Sequence, residues 1–175
     1  MTFAQVEEWL DHIEPAVDQQ SEGAAAASTI WVGSAGYERH KDNRDFAQAL
    51  ADAGIARLVD VRELPISRRR GFGKSALMAA MAEAGIEYVH VRALGNPKPF
   101  RDLYKAGRTD EGRAAYEAFV LEERQEALAA LAEMLREKPG ALMCVEHDPT
   151  TCHRTVILDA LRSRLSLDLV VAEVP

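Results

Sequence analysis

Two cysteines in 175 residues are too few for a disulfide framework, so a reducing cytoplasm is the expected compartment. No apolar run approaches the length that spans a bilayer, which excludes a membrane-spanning helical protein. The first residues do not join a positive region to an apolar core, so no secretion signal is expected. A basic excess is also missing. The net charge is −7, which argues against a general nucleic-acid binder.

The distribution of charge says more than its sum. Residues 62–108 hold ten Lys/Arg and four Asp/Glu, a local +6, and the rest of the chain is then −13. A basic segment in an acidic protein suggests a local anion site. The richest stretch is Ala141–Leu165, A-L-M-C-V-E-H-D-P-T-T-C-H-R-T-V-I-L-D-A-L-R-S-R-L. It reads as a buried strand over 141–145, a break at Asp148-Pro149, and a helix from about Cys152 to Leu165 capped by Thr150 or Thr151. Cys144, Glu146, His147, Cys152, His153 and Arg154 fall within this turn. Cys144 and Glu146 lie two apart on a strand and so share a face, and the helix start favours an anion.

Read in order, the chain opens with an amphipathic helix over residues 2–17, with a capping-box pattern at Thr2 and Gln5 and the stripe Phe3, Val6, Trp9, Leu10, Ile13. His12 reads as a surface residue on it. Residues 19–28 read as a linker. This extension, residues 1–28, would dock on the domain or on a second subunit, which allows a homodimer. The remaining 29–175 suit one compact domain. A strand is expected over 29–32, ending at Gly33-Ser34, then a helix over 45–53, a strand over 55–61, and a basic loop with Pro65, Gly71 and Gly73. A helix over 74–84, with Leu77, Ala80 and Met81 inward, and a strand over 86–91 follow. Residues 94–108 read as a long loop. Residues 110–137 read as one or two helices, and 167–174 as a last strand.

Strands and helices alternate throughout. The expected fold is α/β: a mainly parallel sheet with helices on both faces, a Rossmann-like three-layer arrangement. Ligands of such sheets bind beyond the carboxyl ends of the strands. That edge would gather Ser34, Asp60, Arg62, His90, Cys144, Glu146, Thr151, Cys152, His153 and Arg154.

V-D-V-R-x-x-P-x-S-R (Val59–Arg68), G-I-x-Y-x-H (Gly85–His90), L-G at Leu94-Gly95 and C-x-E-x(5)-C-H-R (Cys144–Arg154) resemble the motif set of the DUF488 family. The likeness runs from about Ile30 to Val174. One departure is at the first turn, where Gly33-Ser34-Ala35-Gly36 replaces the G-H-S type turn of family members. The resemblance implies an α/β fold and a shared polar motif set, with no settled activity, and it leaves any cofactor unknown.

Four chemistries compete for these residues. In the first, a small anionic or nucleotide-like ligand is bound and turned over, by hydrolysis or group transfer. Arg68 and Arg154 would clamp the anion, with Ser34, Arg62, Ser67, Lys74, His90 and Thr151 beside it. Asp60 or Glu146 would be the base, with Cys152 and His153 completing the catalytic set. The bland alternative makes Asp60–Arg62 and Glu146–Arg154 structural ion pairs. In the second, Cys152 is an activated thiol beside His153. Leu58–Glu63 resembles the second-strand motif of rhodaneses, but Cys144 stands ten residues before Arg154, too far for their anion loop, and reads as a buried small hydrophobe. In the third, Cys144, Glu146, His147, Cys152 and His153 bind zinc or iron. Consecutive residues on a helix point about 100° apart, so Cys152 and His153 would not share an ion, and no metal ligand is assigned. In the fourth, the chain is a non-catalytic module whose loop 68–74 grips a nucleic acid or other partner, with Phe72 stacking a base.

Overall fold

A computed structural model describes residues 29–175. The expected helix over 2–17 and its linker lie outside the described residues. Five strands form one parallel sheet: β1 (Ile30–Gly36), β2 (Arg57–Asp60), β3 (Glu87–His90), β4 (Gly140–Cys144) and β5 (Leu169–Val174). Their order is β3-β2-β4-β1-β5. The helices are α1 (Asn43–Asp52), α2 (Lys74–Glu83), α3 (Lys98–Lys105), α4 (Thr109–Glu123), α5 (Gln125–Glu137) and α6 (Arg154–Leu165).

The strands bury both faces, as a covered parallel sheet requires. On one face Phe46 and Leu50 of α1 and Leu77 and Met81 of α2 pack on Leu58, Tyr88, Ala141 and Met143. On the other, Tyr116, Leu128, Leu131, Ile157 and Leu161 from α4, α5 and α6 pack on Val32, Val59, Val89 and Leu142. The expected three-layer α/β fold is therefore the observed one. Among the described residues no helix is long and apolar enough to cross a membrane.

Local chemistry sets the helix starts. The Asp42 carboxylate accepts from the Arg44 and Asp45 amides and caps α1, a contact that stabilises a helix by about 1 kcal/mol. The start of α6 differs from expectation. Asp148, not a threonine, caps a short 3-10 turn at Pro149–Thr151 by accepting from the Thr150 amide. Cys152 is then extended (φ −123°, ψ 146°), and α6 begins only at Arg154. Strand β4 stops at Cys144, so Glu146 lies in the following bend and not on the strand face expected for it.

The other departure is α3, inside the stretch expected to be a loop. Pro97 and Pro99 read as breakers there. In the structure they stand at the N-cap and in the first turn of α3, where a missing N–H costs nothing.

Candidate functional site

The connections from β1 and β4 leave in opposite directions, β1 toward β2 and β4 toward β5, although the two strands are neighbours. Their register pairs Gly36 with Cys144. A crevice between such strands, outside their carboxyl ends, is the usual ligand site of an open α/β sheet. Here it is filled. A side chain at Gly36 would overlap the backbone of Glu146 and His147, so the two exits pack against each other.

Arg154 completes the plug. Its side chain is fully buried. Nε donates to Ser34 Oγ at 3.1 Å, Nη1 to the Ala35 and Glu146 carbonyls at 2.8 Å each, and Nη2 to the His147 carbonyl at 3.4 Å. The expected anion clamp is thus a structural tie between two loops. Its partners are neutral oxygens, and Glu146 meets it through its backbone, not through an ion pair. Ser34, also buried, belongs to this plug.

Asp60 and Arg62 lie on the α1/α2 face of the same edge, both buried. Arg62 Nε donates to Asp60 Oδ1 at 2.8 Å and Nη2 to Oδ2 at 2.6 Å. Tyr88 OH also donates to Oδ2, at 2.6 Å. Arg62 further reaches the Phe72 carbonyl at 2.9 Å and Tyr37 OH at 3.4 Å. Burial opposes the charge on Arg62, but Asp60 outweighs it and drives the guanidinium pKa up. Burial and then Asp60 push the Tyr88 hydroxyl up as well. Every donor and acceptor here has a partner. The general-base role expected for Asp60 falls away, because its lone pairs already serve Arg62 and Tyr88. His90 is half-buried and donates Nε2–H to the Arg62 carbonyl at 2.8 Å.

A different set gathers on the α4–α6 face. Cys144, Cys152 and His153 are buried. Both sulfurs stand 3.8 Å from His153 Nδ1, and all three atoms lie within 4.8 Å of one another. His153 Nε2 is 2.8 Å from the Val61 carbonyl, so Nε2 carries the proton there and Nδ1 turns a lone pair to the thiols. The Tyr116 ring meets the imidazole edge-on at 5.2 Å. Contact with Cys152, then burial, holds the Cys144 thiol up. Burial would raise Cys152 too, but the Cys144 hydrogen bond, His153 and Arg154 bring it well down. Burial lowers His153, and the neighbouring Cys152 more than reverses it.

Glu146 borders this trio. Burial and the charge on Cys152 raise its carboxyl, which also meets the Cys144 thiol. Its Oε2 is buried without a partner, as is Tyr104 OH on α3. Burial pushes Tyr104 up to about 12, and Cys152 and Glu146 act on it electrostatically. Sequence reasoning missed Tyr104 because α3 was read as a loop. Cys144 was placed at the carboxyl edge and among the candidate metal ligands, although the favoured reading made it a buried small hydrophobe.

The basic loop divides in three. Arg69 donates to the Tyr37 and Glu38 carbonyls at 2.9 and 2.5 Å and to the Lys41 carbonyl at 3.3 Å, pinning the loop. Arg70 borders a groove between α1 and α2. Arg68, exposed, lines an open cleft of 650 Å³ with Tyr37, Ile66, Ser67, Lys105 and Val145. Phe72 cannot stack a base, since it is fully buried against Tyr37 with ring centroids 4.4 Å apart. Lys74 heads α2 outside that cleft, and the exposed Thr151 donates to the Asp148 carbonyl. The expected site is therefore not one cluster. It separates into a plug, a closed ion pair, a thiol–imidazole group and an outer cleft.

No curated protein and no solved structure matches the chain. A family model described as "Domain of unknown function DUF488" matches residues 42–161, which take in α1, the Asp60–Arg62 pair, the basic loop and the whole Cys144–Arg154 motif. The chain belongs to the DUF488 family.

Proposed function

We propose that this DUF488 domain binds a small anionic ligand with an apolar part, such as a phosphorylated metabolite or nucleotide, in the cleft beside Arg68. The observation that carries the reading is the pairing of Arg68 and Lys105 on the wall of a 650 Å³ cleft beyond the strand ends. Neither side chain has a hydrogen-bond or ion-pair partner among the described residues, in contrast to Arg62, Arg69 and Arg154. Ser67 and Tyr37 line the same wall, the Tyr37 hydroxyl donating to Ser67 Oγ at 3.2 Å, and Ile66, 74% exposed, and Val145 add apolar surface. An arginine matches two oxygens of a phosphate, and a lysine adds a point charge.

The reading concerns binding. Asp60 and Arg154 are engaged inside the protein, and Glu146 faces the thiols, so the cleft wall itself has Glu38 as its carboxylate. The Glu38 side chain accepts from the His147 amide, which turns it away from a general-base task.

The test is thermal stability against phosphate, nucleotides and nucleosides. A ligand at 100 times its dissociation constant adds about 2.7 kcal/mol. Stabilisation by one phosphate-bearing class, lost in Arg68→Ala/Lys105→Ala, is the expected result. No stabilisation of the wild type, or the same stabilisation in that variant, overturns the reading. A response to polynucleotides alone, falling steeply with salt, would favour the partner-binding alternative.

A further inference from the structure

We propose that Cys144, Cys152 and His153 bind one divalent transition-metal ion, zinc being the best fit, with Glu146 beside the fourth position. The argument begins with donor type. Thiolate and imidazole together suit zinc above magnesium or calcium, which prefer oxygen.

Geometry comes next. Zinc bonds of about 2.3 Å to sulfur and about 2.0 Å to nitrogen, at tetrahedral angles, place S···N pairs about 3.6 Å apart. Both sulfurs are 3.8 Å from His153 Nδ1, and the three donor atoms lie within 4.8 Å of one another. The two S···N separations are within a few tenths of an ångström of that value, and the sulfurs, no more than 4.8 Å apart, have at most about 1 Å to close to the roughly 3.8 Å of two thiolates on one ion.

The backbone allows neighbours to share it. Consecutive residues within a helix diverge, but Cys152 is extended and only His153 begins the helical path (φ −69°, ψ −12°). Cys144 arrives from the end of β4. A strand end and the entry to a helix thus converge on one point.

The histidine is already oriented. Nε2 engages the Val61 carbonyl at 2.8 Å. A ligating imidazole ordinarily donates its other N–H to a backbone carbonyl or carboxylate in this way, which fixes the tautomer and ring plane. The electrostatics also suit burial. Two thiolates cancel the charge of the ion, so the loaded cluster is neutral in a site where an isolated charge would be costly.

The fourth position is marked by unfinished polar groups. Glu146 Oε2 and Tyr104 OH are buried and unpartnered. Glu146 lies outside the group whose atoms fall within 4.8 Å, so it stands beside the three ligands and not among them. Three protein ligands with a carboxylate at an open position is the arrangement that activates a bound water, as distinct from a closed four-ligand structural site.

The experiment uses the full chain, purified under reducing conditions, stripped with a chelator and titrated with Co²⁺. One cobalt per chain, with a thiolate-to-cobalt charge-transfer band that Zn²⁺ abolishes, is expected. Cys144→Ser and Cys152→Ser should each weaken binding at least tenfold, and Glu146→Gln should keep the band while shifting its ligand-field region. Arg68→Ala/Lys105→Ala should bind cobalt like the wild type, which separates this site from the outer cleft. Should a cysteine variant fail to fold, the wild type still decides by protection of its two thiols from alkylation in the presence of Zn²⁺. A folded, reduced wild type that takes up no cobalt overturns the proposal. So does cobalt binding that survives in Cys144→Ser/Cys152→Ser.

Discussion

Two polar clusters sit at the carboxyl edge of one sheet, on opposite faces, and they are built on opposite principles. Asp60, Arg62 and Tyr88 form a closed account, in which both carboxylate oxygens are engaged and the guanidinium reaches Asp60, Phe72 and Tyr37. Cys144, Cys152, His153 and Glu146 form an open one, in which two thiols compete for one imidazole nitrogen and a buried carboxylate oxygen has no partner. A buried polar group without a partner costs about 1–3 kcal/mol, so each one calls for an explanation, of which a bound water or ion is one. Both clusters lie within the residues that the family model matches. Partner counting, not residue type, separates the closed cluster from the open one.

The largest expected effect tests the closed cluster. Arg62→Ala leaves Asp60 charged and unpaired in the core, and urea unfolding should show a loss of about 3–5 kcal/mol. Asp60→Asn/Arg62→Met should recover part of that loss, because no buried charge remains. Equal damage in the single and double variants would mean that Arg62 acts through packing alone.

Next comes the open cluster. Zn²⁺ at 100 times its dissociation constant should raise the unfolding free energy of the wild type by about 2.7 kcal/mol, and leave Cys152→Ser unchanged. An unresponsive wild type would reduce this cluster to thiol packing and erase the contrast.

Tyr88 gives a smaller effect with a pH signature. Tyr88→Phe removes a hydrogen bond to a carboxylate and should cost about 1.5–3 kcal/mol near neutral pH. In the wild type the Tyr88 hydroxyl is held up by burial and Asp60, as Tyr116 is by burial. Above pH of about 10 the unfolded chain loses tyrosine protons that the folded one keeps, so stability falls as pH rises, by at most about 1.4 kcal/mol per pH unit for each such tyrosine. Tyr88→Phe should flatten that alkaline slope. An unchanged slope would place the titration elsewhere.

The smallest expected effect on stability is at the outer cleft. Arg68→Ala should change the unfolding free energy by less than about 0.5 kcal/mol, as surface changes do, while removing the phosphate response. A large loss of stability there would show that Arg68, like Arg69, holds the loop.

Much of the frame was legible in the residues. The alternation of apolar strands with helices was enough for the parallel three-layer sheet. Leu77, Ala80 and Met81 were placed inward on α2 by spacing, and they are buried. Asp42 and Asn43 are both residue types that cap a helix, and Asp42 is the one that caps α1. The miss at α3 has a local cause, since a proline that breaks a helix interior is harmless in its first turn. The site was less legible. Arg68, Arg69 and Arg70 are identical in sequence terms, yet one lines a cleft, one binds backbone carbonyls and one borders another groove.

What the sequence determined by itself was the set of groups available and the edge of the sheet at which they gather, because hydrophobic period and the alternation of strands with helices are local along the chain. What only the tertiary structure decided was which groups are already occupied. Arg154 meets Ala35, 119 positions away, and His153 meets Val61, 92 positions away. Hydrogen bonding is satisfied in space. A side chain becomes a plug, an ion pair or a ligand according to the oxygen or sulfur that folding brings to it, and sequence spacing does not encode that distance.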